Sequence, residues 1–542
     1  MAEASVEPPS PPTQGSARSQ KTDRNDPILI VGAGVFGLSL AHELVARRGY
    51  TDVTVLDRAL PPVPDGSSVD VSRIVRSEYA DPVYTRMAKE AIVQWRRGGD
   101  GGDDEGGYAP WYDESGFVII AEGDHHPYTA KALEEGRKNT VVVAAEAAAG
   151  KNGSETTTAS SRAEGFTAAE AGARITEMYP AVQAHMQGYS AVHNPDGGWA
   201  DAAGAIGELA RRASRAGVNF VTGRRGTVVR LKYAPSSSDA YATAPASSST
   251  ATSTGGDDCK VEGNRKAIGV ETLAGETMLA SRVVLAAGAW TNNLLPGVEH
   301  AFLATGQPVA FVQLTQAEAD TLRPRHPVIV NLSTGVFCFP PTPGPGGNVL
   351  KVARHGYGFA TSVRPGHSQE DHLQIQRQHE PEQDPQKQQG GGGAGGTERT
   401  ISSPARDADN SASGYLPDDA DAALREGFRQ FFPQFADRPW SKRRMCWYTD
   451  TAKGDFVVDN HPSVEGVFFA TGGSGHGFKF LPVLGRYLAD CFEDKASPEI
   501  REKWRLPTPP EGETVTALSM IGDGSRAGPP LRRLTEAEQA KL

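Results

Sequence analysis

Ile28-Leu29-Ile30-Val31-Gly32-Ala33-Gly34-Val35-Phe36-Gly37 decides how the rest of this chain is read. An apolar run feeds a G-x-G-x-x-G turn, and a helical pattern follows at once. Leu38, Ala41, Leu44 and Val45 recur at helical spacing, and Gly49 is placed to end the helix. That order is what a dinucleotide pyrophosphate needs. Gly32 permits the tight turn, Gly34 lets the backbone approach the phosphates, and Gly37 lets the helix pack closely on its sheet. The amides at Val35 and Phe36 and the positive end of the helix then face the anion. Val53-Thr54-Val55-Leu56 reads as a second strand ending in Asp57. An acid there, about 20 residues past the last glycine, accepts hydrogen bonds from a ribose diol and repels a 2′-phosphate. The motif by itself leaves FAD and NAD open.

Working outward, the 542 residues are enough for two or more domains around a large core. The net charge of −11 argues against general nucleic-acid binding. No apolar run reaches the roughly 18 residues of a membrane span, and the N-terminus lacks the apolar core of a secretory signal. Residues 1–26 are rich in Pro, Ser, Gln and charge, a composition that predicts disorder. Cys259, Cys338, Cys446 and Cys491 have no metal-type spacing and suggest a reducing compartment without structural disulfides. Residues 98–107, 144–161, 235–258 and 367–414 are low-complexity insertions, expected as flexible surface loops.

Two later segments repeat the strand-then-glycine form. Arg282-Val283-Val284-Leu285-Ala286-Ala287-Gly288 is one, and Val467-Phe468-Phe469-Ala470-Thr471-Gly472-Gly473-Ser474-Gly475-His476-Gly477, followed by a helix over Leu481 to Phe492, is the other. The expected fold is therefore α/β. A Rossmann-type domain, discontinuous in sequence, takes residues 27–108, 196–306 and 441–500. An interleaved α+β substrate domain on a mixed or antiparallel sheet takes residues 109–195 and 307–440, and residues 501–542 are a tail. A glycine-rich turn and helix returning at the C-terminal end favour FAD over NAD, because that turn can meet an isoalloxazine ring. A helix starting near Phe480 would aim positive dipole at the edge of the ring that gains charge on reduction.

These residues resemble the sarcosine-oxidase-like flavoprotein amine oxidases of the D-amino-acid-oxidase fold, and most of all the fungal saccharopine and pipecolate oxidases. The stretches that carry the resemblance are Ser72-Arg73-Ile74-Val75-Arg76, Cys446-Trp447-Tyr448 and Ser474-Gly475-His476-Gly477-Phe478-Lys479-Phe480. The resemblance implies an FAD-dependent oxidase of a secondary-amine amino acid, giving an imine and hydrogen peroxide. It implies that Cys446 carries the flavin through a thioether, with Lys442, Arg443 and Arg444 putting positive charge beside the sulfur. Arg76 and Lys479 match a pair that binds a substrate carboxylate. Arg73 lies against the flavin ring, Lys351 promotes oxygen reduction, His355 is an active-site histidine, and Tyr448 lines the substrate pocket. Ser72, Ala287, Gly288, Gly475, His476, Gly477 and Phe478 join the cofactor contacts.

Two positions depart from the bacterial sarcosine oxidases. Val69 stands where those enzymes carry His, and Phe337 where they carry a pocket Tyr. Both make the cavity less polar and point to a larger or more apolar amine than sarcosine. The same residues would serve a fructosyl amino acid oxidase or a biosynthetic amine oxidase. An NAD-dependent dehydrogenase predicts a colourless protein, and a non-catalytic flavin module a yellow one that no amine bleaches. A monomer acting on a small amino acid and oxygen, with no nucleic-acid or membrane partner, is expected. The closing Ala540-Lys541-Leu542 resembles a peroxisomal address, which suits an enzyme that releases peroxide; otherwise a cytoplasmic location is expected.

Overall fold

The computed structural model describes residues 22–98, 107–139, 141–144, 156–159, 161–235, 265–323, 326–344, 346–364, 400–404, 413–509 and 520–542. The insertion read over 235–258 lies almost wholly outside them.

The apolar run Ile28–Val31 is buried on both faces and becomes the centre of a six-stranded sheet. The strand order is Asn219–Val221, Val53–Leu56, Ile28–Val31, Arg282–Leu285, Val467–Thr471, Val457–Asn460. All neighbours are parallel except the last pair. Strands buried on both faces read as continuous β-branched and Leu/Phe runs rather than alternating ones, as four of these do. The helix Val35–Ala46 leaves the first strand and packs beside Leu481–Phe492 and Ala202–Ala216. Leu38, Leu44, Leu484 and Leu488 form part of that dry layer. One sheet thus gathers four distant pieces of chain, which is the discontinuity the sequence predicts.

The second sheet has eleven strands and is mixed. Its long strands, Leu303–Leu314, Gly347–Arg354 and Lys442–Asp450, are antiparallel neighbours, while Phe117–Glu122 and Val328–Asn331 run parallel. Helix Asp418–Phe431 covers one face with Leu424, Phe428 and Phe431; the other face carries Ile119, Phe337, Phe339 and Cys446.

Four stretches differ from expectation. Lys442–Asp450, placed by sequence with the nucleotide domain, pairs along its length with Leu303–Leu314 of the large sheet. Thr156–Ala159, inside a stretch read as an insertion, forms a hairpin with Val141–Ala144. Ile401, Ser402 and Ser403 are buried, and Ile401 pairs with Val363. The stretch 520–542, expected as a tail, adds Arg532–Arg533 to the large sheet beside Phe359–Ala360. Short polar segments of this kind carry little periodicity, so nothing in their composition announces the sheet edge they complete. At the other end, Arg24, expected in the disordered leader, is ion-paired with Glu493 at 2.8 Å. Among the described residues, no helix is long and apolar enough to cross a membrane.

Candidate active site

A single cavity runs from the first glycine turn to the face of the large sheet. It is lined at one end by Gly32, Gly34, Val35, Phe36 and Asp57, and at the other by Arg73, Arg76, Lys351, His355, Cys446, Tyr448 and Lys479. Ala287, Gly288, Gly475, His476, Gly477 and Phe478 line it between those ends. Of the sequence-predicted residues, Gly37 and Ser72 lie outside this wall and act through their neighbours.

The nucleotide end is built from backbone. Gly32 has φ +114°, and a Cβ on it would lie 2.4 Å from the Ala286 carbonyl oxygen. The Ala33 amide donates to Asp57 Oδ2 at 2.7 Å and the Val35 amide to Ser68 Oγ at 2.9 Å. Burial raises the Asp57 carboxyl above its ordinary range, opposed by the Ala33 amide and by the charge and amide of Arg58. A turn with bare glycines, a helix start and an acid at the tip of the second strand fits a dinucleotide.

The middle of the cavity is organised by one carboxylate that sequence reading missed. Asp70 Oδ2 accepts from Arg73 Nη1 at 2.6 Å, Lys351 Nζ at 2.7 Å and Arg444 Nη2 at 3.0 Å. Though burial opposes it, Lys351, Arg444 and Arg73 hold the Asp70 carboxyl well below the usual carboxylate range. Lys351 is 2% exposed and also donates to the Ser72 carbonyl at 2.7 Å. Burial pulls its ammonium down to about 7, against the attraction of Asp70. Arg73 Nη2 lies 3.7 Å from Cys446 Sγ. Strand alternation explains which basic residues reach that sulfur's side. Arg444, Cys446 and Tyr448 share the face toward the cavity, whereas Arg443 turns away to Asp421 at 3.1 Å and Lys442 is exposed. Arg443 therefore does not flank Cys446 as expected.

At the far end two cations converge on Tyr79. The Arg76 guanidinium carbon stands 4.6 Å from the Tyr79 ring centre, and Lys479 Nζ donates to the Tyr79 hydroxyl at 2.8 Å. His476 fixes the direction of this network. Its Nε2 lies 2.8 Å from the Gly454 carbonyl, which only accepts, so Nε2 carries the proton and Nδ1 accepts from the Tyr79 hydroxyl at 3.1 Å. The Tyr79 oxygen is then free to accept from Lys479. Arg76 Nη2 donates to the Tyr128 hydroxyl at 3.1 Å, while Arg76 Nη1 is buried with no hydrogen-bond partner among the described residues. An orphaned guanidinium nitrogen beside a buried ammonium is the signature of a site for an anion. Burial, reinforced by Arg76, pushes Lys479 well below its ordinary range. Burial also lowers His476 to about 3 and drives His355 well down, so both imidazoles are neutral at physiological pH. Tyr79 lies three residues past the motif at 72–76; Tyr128, at the start of helix Pro127–Lys138, carries no sequence signal.

A parallel sheet with a glycine-turn dinucleotide cradle, opening onto a second sheet that carries a cationic grip, defines an FAD-dependent oxidoreductase. Comparison with known proteins agrees: residues 27–491 match the family described as DAO, FAD dependent oxidoreductase, and the chain belongs to it. It is 29% identical over 483 residues to L-saccharopine oxidase of Schizosaccharomyces pombe, covering 88% of this chain and 92% of that one. It is 29% identical over 528 residues to an amino acid oxidase of Aspergillus flavus, covering 89% and 97%. Among solved structures, the fructosamine oxidase Amadoriase II of Aspergillus fumigatus aligns with a TM-score of 0.67 at 22% identity, over 95% of this chain and 96% of that one. Fructosyl peptide oxidase from E. terrenum aligns with a TM-score of 0.67 at 24% identity, over 95% and 97%. These structural likenesses carry the fold.

Proposed function

We propose that this protein oxidises an amino acid at a carbon beside its amine nitrogen, preferring a secondary amine. The product is an imine that water hydrolyses, and oxygen leaves as hydrogen peroxide. The observation that carries this reading is the pairing of Arg76 and Lys479 across Tyr79, with Arg76 Nη1 left without a hydrogen-bond partner among the described residues. FAD, held by the turn at 32–36 and Asp57, would supply the two-electron acceptor between substrate and oxygen.

The chain's own residues do the rest. Arg76 and Lys479 fix the substrate carboxylate and so orient the carbon to be oxidised. His355 and His476 stay neutral and add no positive charge against the amine, which must react as the free base. Ile74, Phe117, Ile119, Phe337 and Phe339 make the surrounding wall apolar, which suits a substrate larger than sarcosine. Lys351 places a fixed cation where charge passes to oxygen. Relatives named as saccharopine, amino acid and sarcosine oxidases support this reading. Neighbours named as fructosamine and fructosyl peptide oxidases make glycated amines the second class to test.

Anaerobic bleaching of the yellow protein by pipecolate, saccharopine, N-methyl amino acids or fructosyl-lysine tests it, and no bleaching by any of them would sink it. Arg76→Gln is expected to lower kcat/KM for the reactive amine by about 10²-fold, because it leaves a buried carboxylate half-paired. An unchanged value would remove Arg76 from the grip.

The same reading includes a covalent flavin link at Cys446, supported by its place on the cavity wall near Arg73. Acid precipitation is expected to leave the colour in the pellet, and Cys446→Ala to release it to the supernatant. Colour released from the unaltered protein rejects the link. Peroxide release makes a peroxisomal location part of the proposal.

A further inference from the structure

Strand Lys442–Asp450 carries Arg444, Cys446, Tyr448 and Asp450 on one face by alternation. Arg444 ties one end of that face to Asp70 at 3.0 Å. Asp450, fully buried, ties the other end to Arg526, whose side chain is 5% exposed. Arg526 comes from the stretch that the sequence reads as a tail. The Ile521 and Gly522 amides fasten that stretch to the Ala452 carbonyl at 2.8 and 3.0 Å, and Ser525 lines the cavity.

The Arg526 guanidinium uses each terminal nitrogen twice. Nη1 donates to Asp450 Oδ2 at 3.1 Å and to the Gly356 carbonyl at 2.9 Å. Nη2 donates to Asp450 Oδ1 and to the Ser474 carbonyl at 3.1 Å. The Thr305 hydroxyl also donates to Asp450, and Gln307, on the cavity wall, donates to that hydroxyl at 3.1 Å and to the Gly356 carbonyl at 3.2 Å. One planar fork thus joins the strand of Tyr448, the turn after His355 and the late glycine turn. Ser474 is the member most in need of it. Its φ is +46°, a left-handed conformation that a residue with a Cβ adopts at a cost. Its amide donates to the Thr449 carbonyl at 3.0 Å, and its carbonyl is held by Arg526. Gly475 follows with φ +75°, and a Cβ on it would lie 2.3 Å from Tyr448 Cε2, so the turn rests directly on that ring. The turn then leads to Lys479, whose Nζ donates to the His476 carbonyl at 2.9 Å as well as to Tyr79.

We propose that Arg526 is a positioning residue. Its guanidinium fork locks the Tyr448 strand, the His355 turn and the late glycine turn to one another, and so sets where His476 and Lys479 stand in the carboxylate grip. A fork is needed because two carbonyls and a carboxylate converge on it from three segments, and an ammonium cannot span them. This inference rests on the reading of Arg76 and Lys479 as that grip.

The test separates the two. Arg526→Lys keeps a cation on Asp450 but takes the hydrogen bond from the Ser474 carbonyl. Arg526→Met combined with Asp450→Asn removes the fork without stranding a buried charge. Hydrogen exchange on the FAD-loaded full chain reads the turn itself. In both variants the Ser474, His476 and Gly477 amides are expected to exchange about tenfold faster, while strand Ile28–Val31 is unchanged. Calorimetry with 2-(methylthio)hexanoate, which carries sulfur in place of the reacting nitrogen and forms no imine, is expected to show binding weakened about tenfold. The Tm of Arg526→Lys should stay near that of the unaltered protein, because Asp450 remains paired. Exchange in Arg526→Lys equal to that of the unaltered protein reduces Arg526 to a counter-charge and overturns the proposal. Faster exchange with unchanged binding overturns the link to the grip. If exchange responds while the unaltered protein binds no 2-(methylthio)hexanoate, the grip reading fails and the locking role of Arg526 stands.

Discussion

Replacing Lys351 by methionine is expected to slow the return of electrons to oxygen by about 10²–10³-fold, while anaerobic bleaching by substrate stays within about threefold. The ammonium is fully buried, faces the cavity and is held by Asp70 and the Ser72 carbonyl. A fixed charge in such a site stabilises the negative charge that appears as oxygen accepts electrons, and water cannot replace it. Methionine keeps the length of the side chain. It also leaves Asp70 paired with Arg73 and Arg444, so the substitution does not strand a buried carboxylate. Burial pulls the lysine down to about 7, so the ammonium is present below that pH and lost above it. The oxidative rate of the unaltered protein should fall as pH rises through about 7, and the methionine variant should show no such step. Stopped-flow measurement of each half-reaction decides the matter. Equal slowing of both would remove Lys351 from the oxygen step.

Gly37→Val should abolish FAD retention. A Cβ at that position would lie 1.9 Å from the Gly32 carbonyl oxygen and 3.2 Å from Ile30 Cγ2. The first obstacle is backbone, which no rotamer change relieves. The helix Val35–Ala46 must move off the strand and carry the phosphate-facing amides with it, at a cost on the order of 3 kcal/mol or more. The protein should purify without yellow colour and with a lowered Tm. Gly49→Ala is the control. Gly49 has φ +73° but open space around its Cβ position, so only backbone strain of about 1–2 kcal/mol is added and the colour should remain. Retention of FAD by Gly37→Val would show that the close helix–strand approach is dispensable.

The two ends of the cavity differ in how far they could be read from the chain. The nucleotide end is local: strand, glycines, helix and Asp57 fall within thirty positions and obey fixed spacings, so the motif states the geometry. The late turn at Gly472–Gly477 repeats the same pattern. The cationic grip needed the family resemblance, because an isolated arginine or lysine carries no signal in composition. Arg76 and Lys479 are brought to one tyrosine only by the fold. Asp70 was invisible as an organiser because its three cationic partners come from three separate segments. The stretch 520–542 lies beyond a polar stretch and has no periodicity, so it read as a tail.

By itself, the sequence determined the class of the first sheet, the position of the dinucleotide cradle and the interleaving of two domains. Each of these follows from short-range rules of hydrophobic period and glycine stereochemistry. Only the tertiary structure decided which strand faces carry Cys446 and Arg444, which carboxylate gathers Lys351, and which far segment adds Ser525 to the cavity wall. Those depend on strand register and on burial of charge between segments hundreds of positions apart, and no local pattern encodes either.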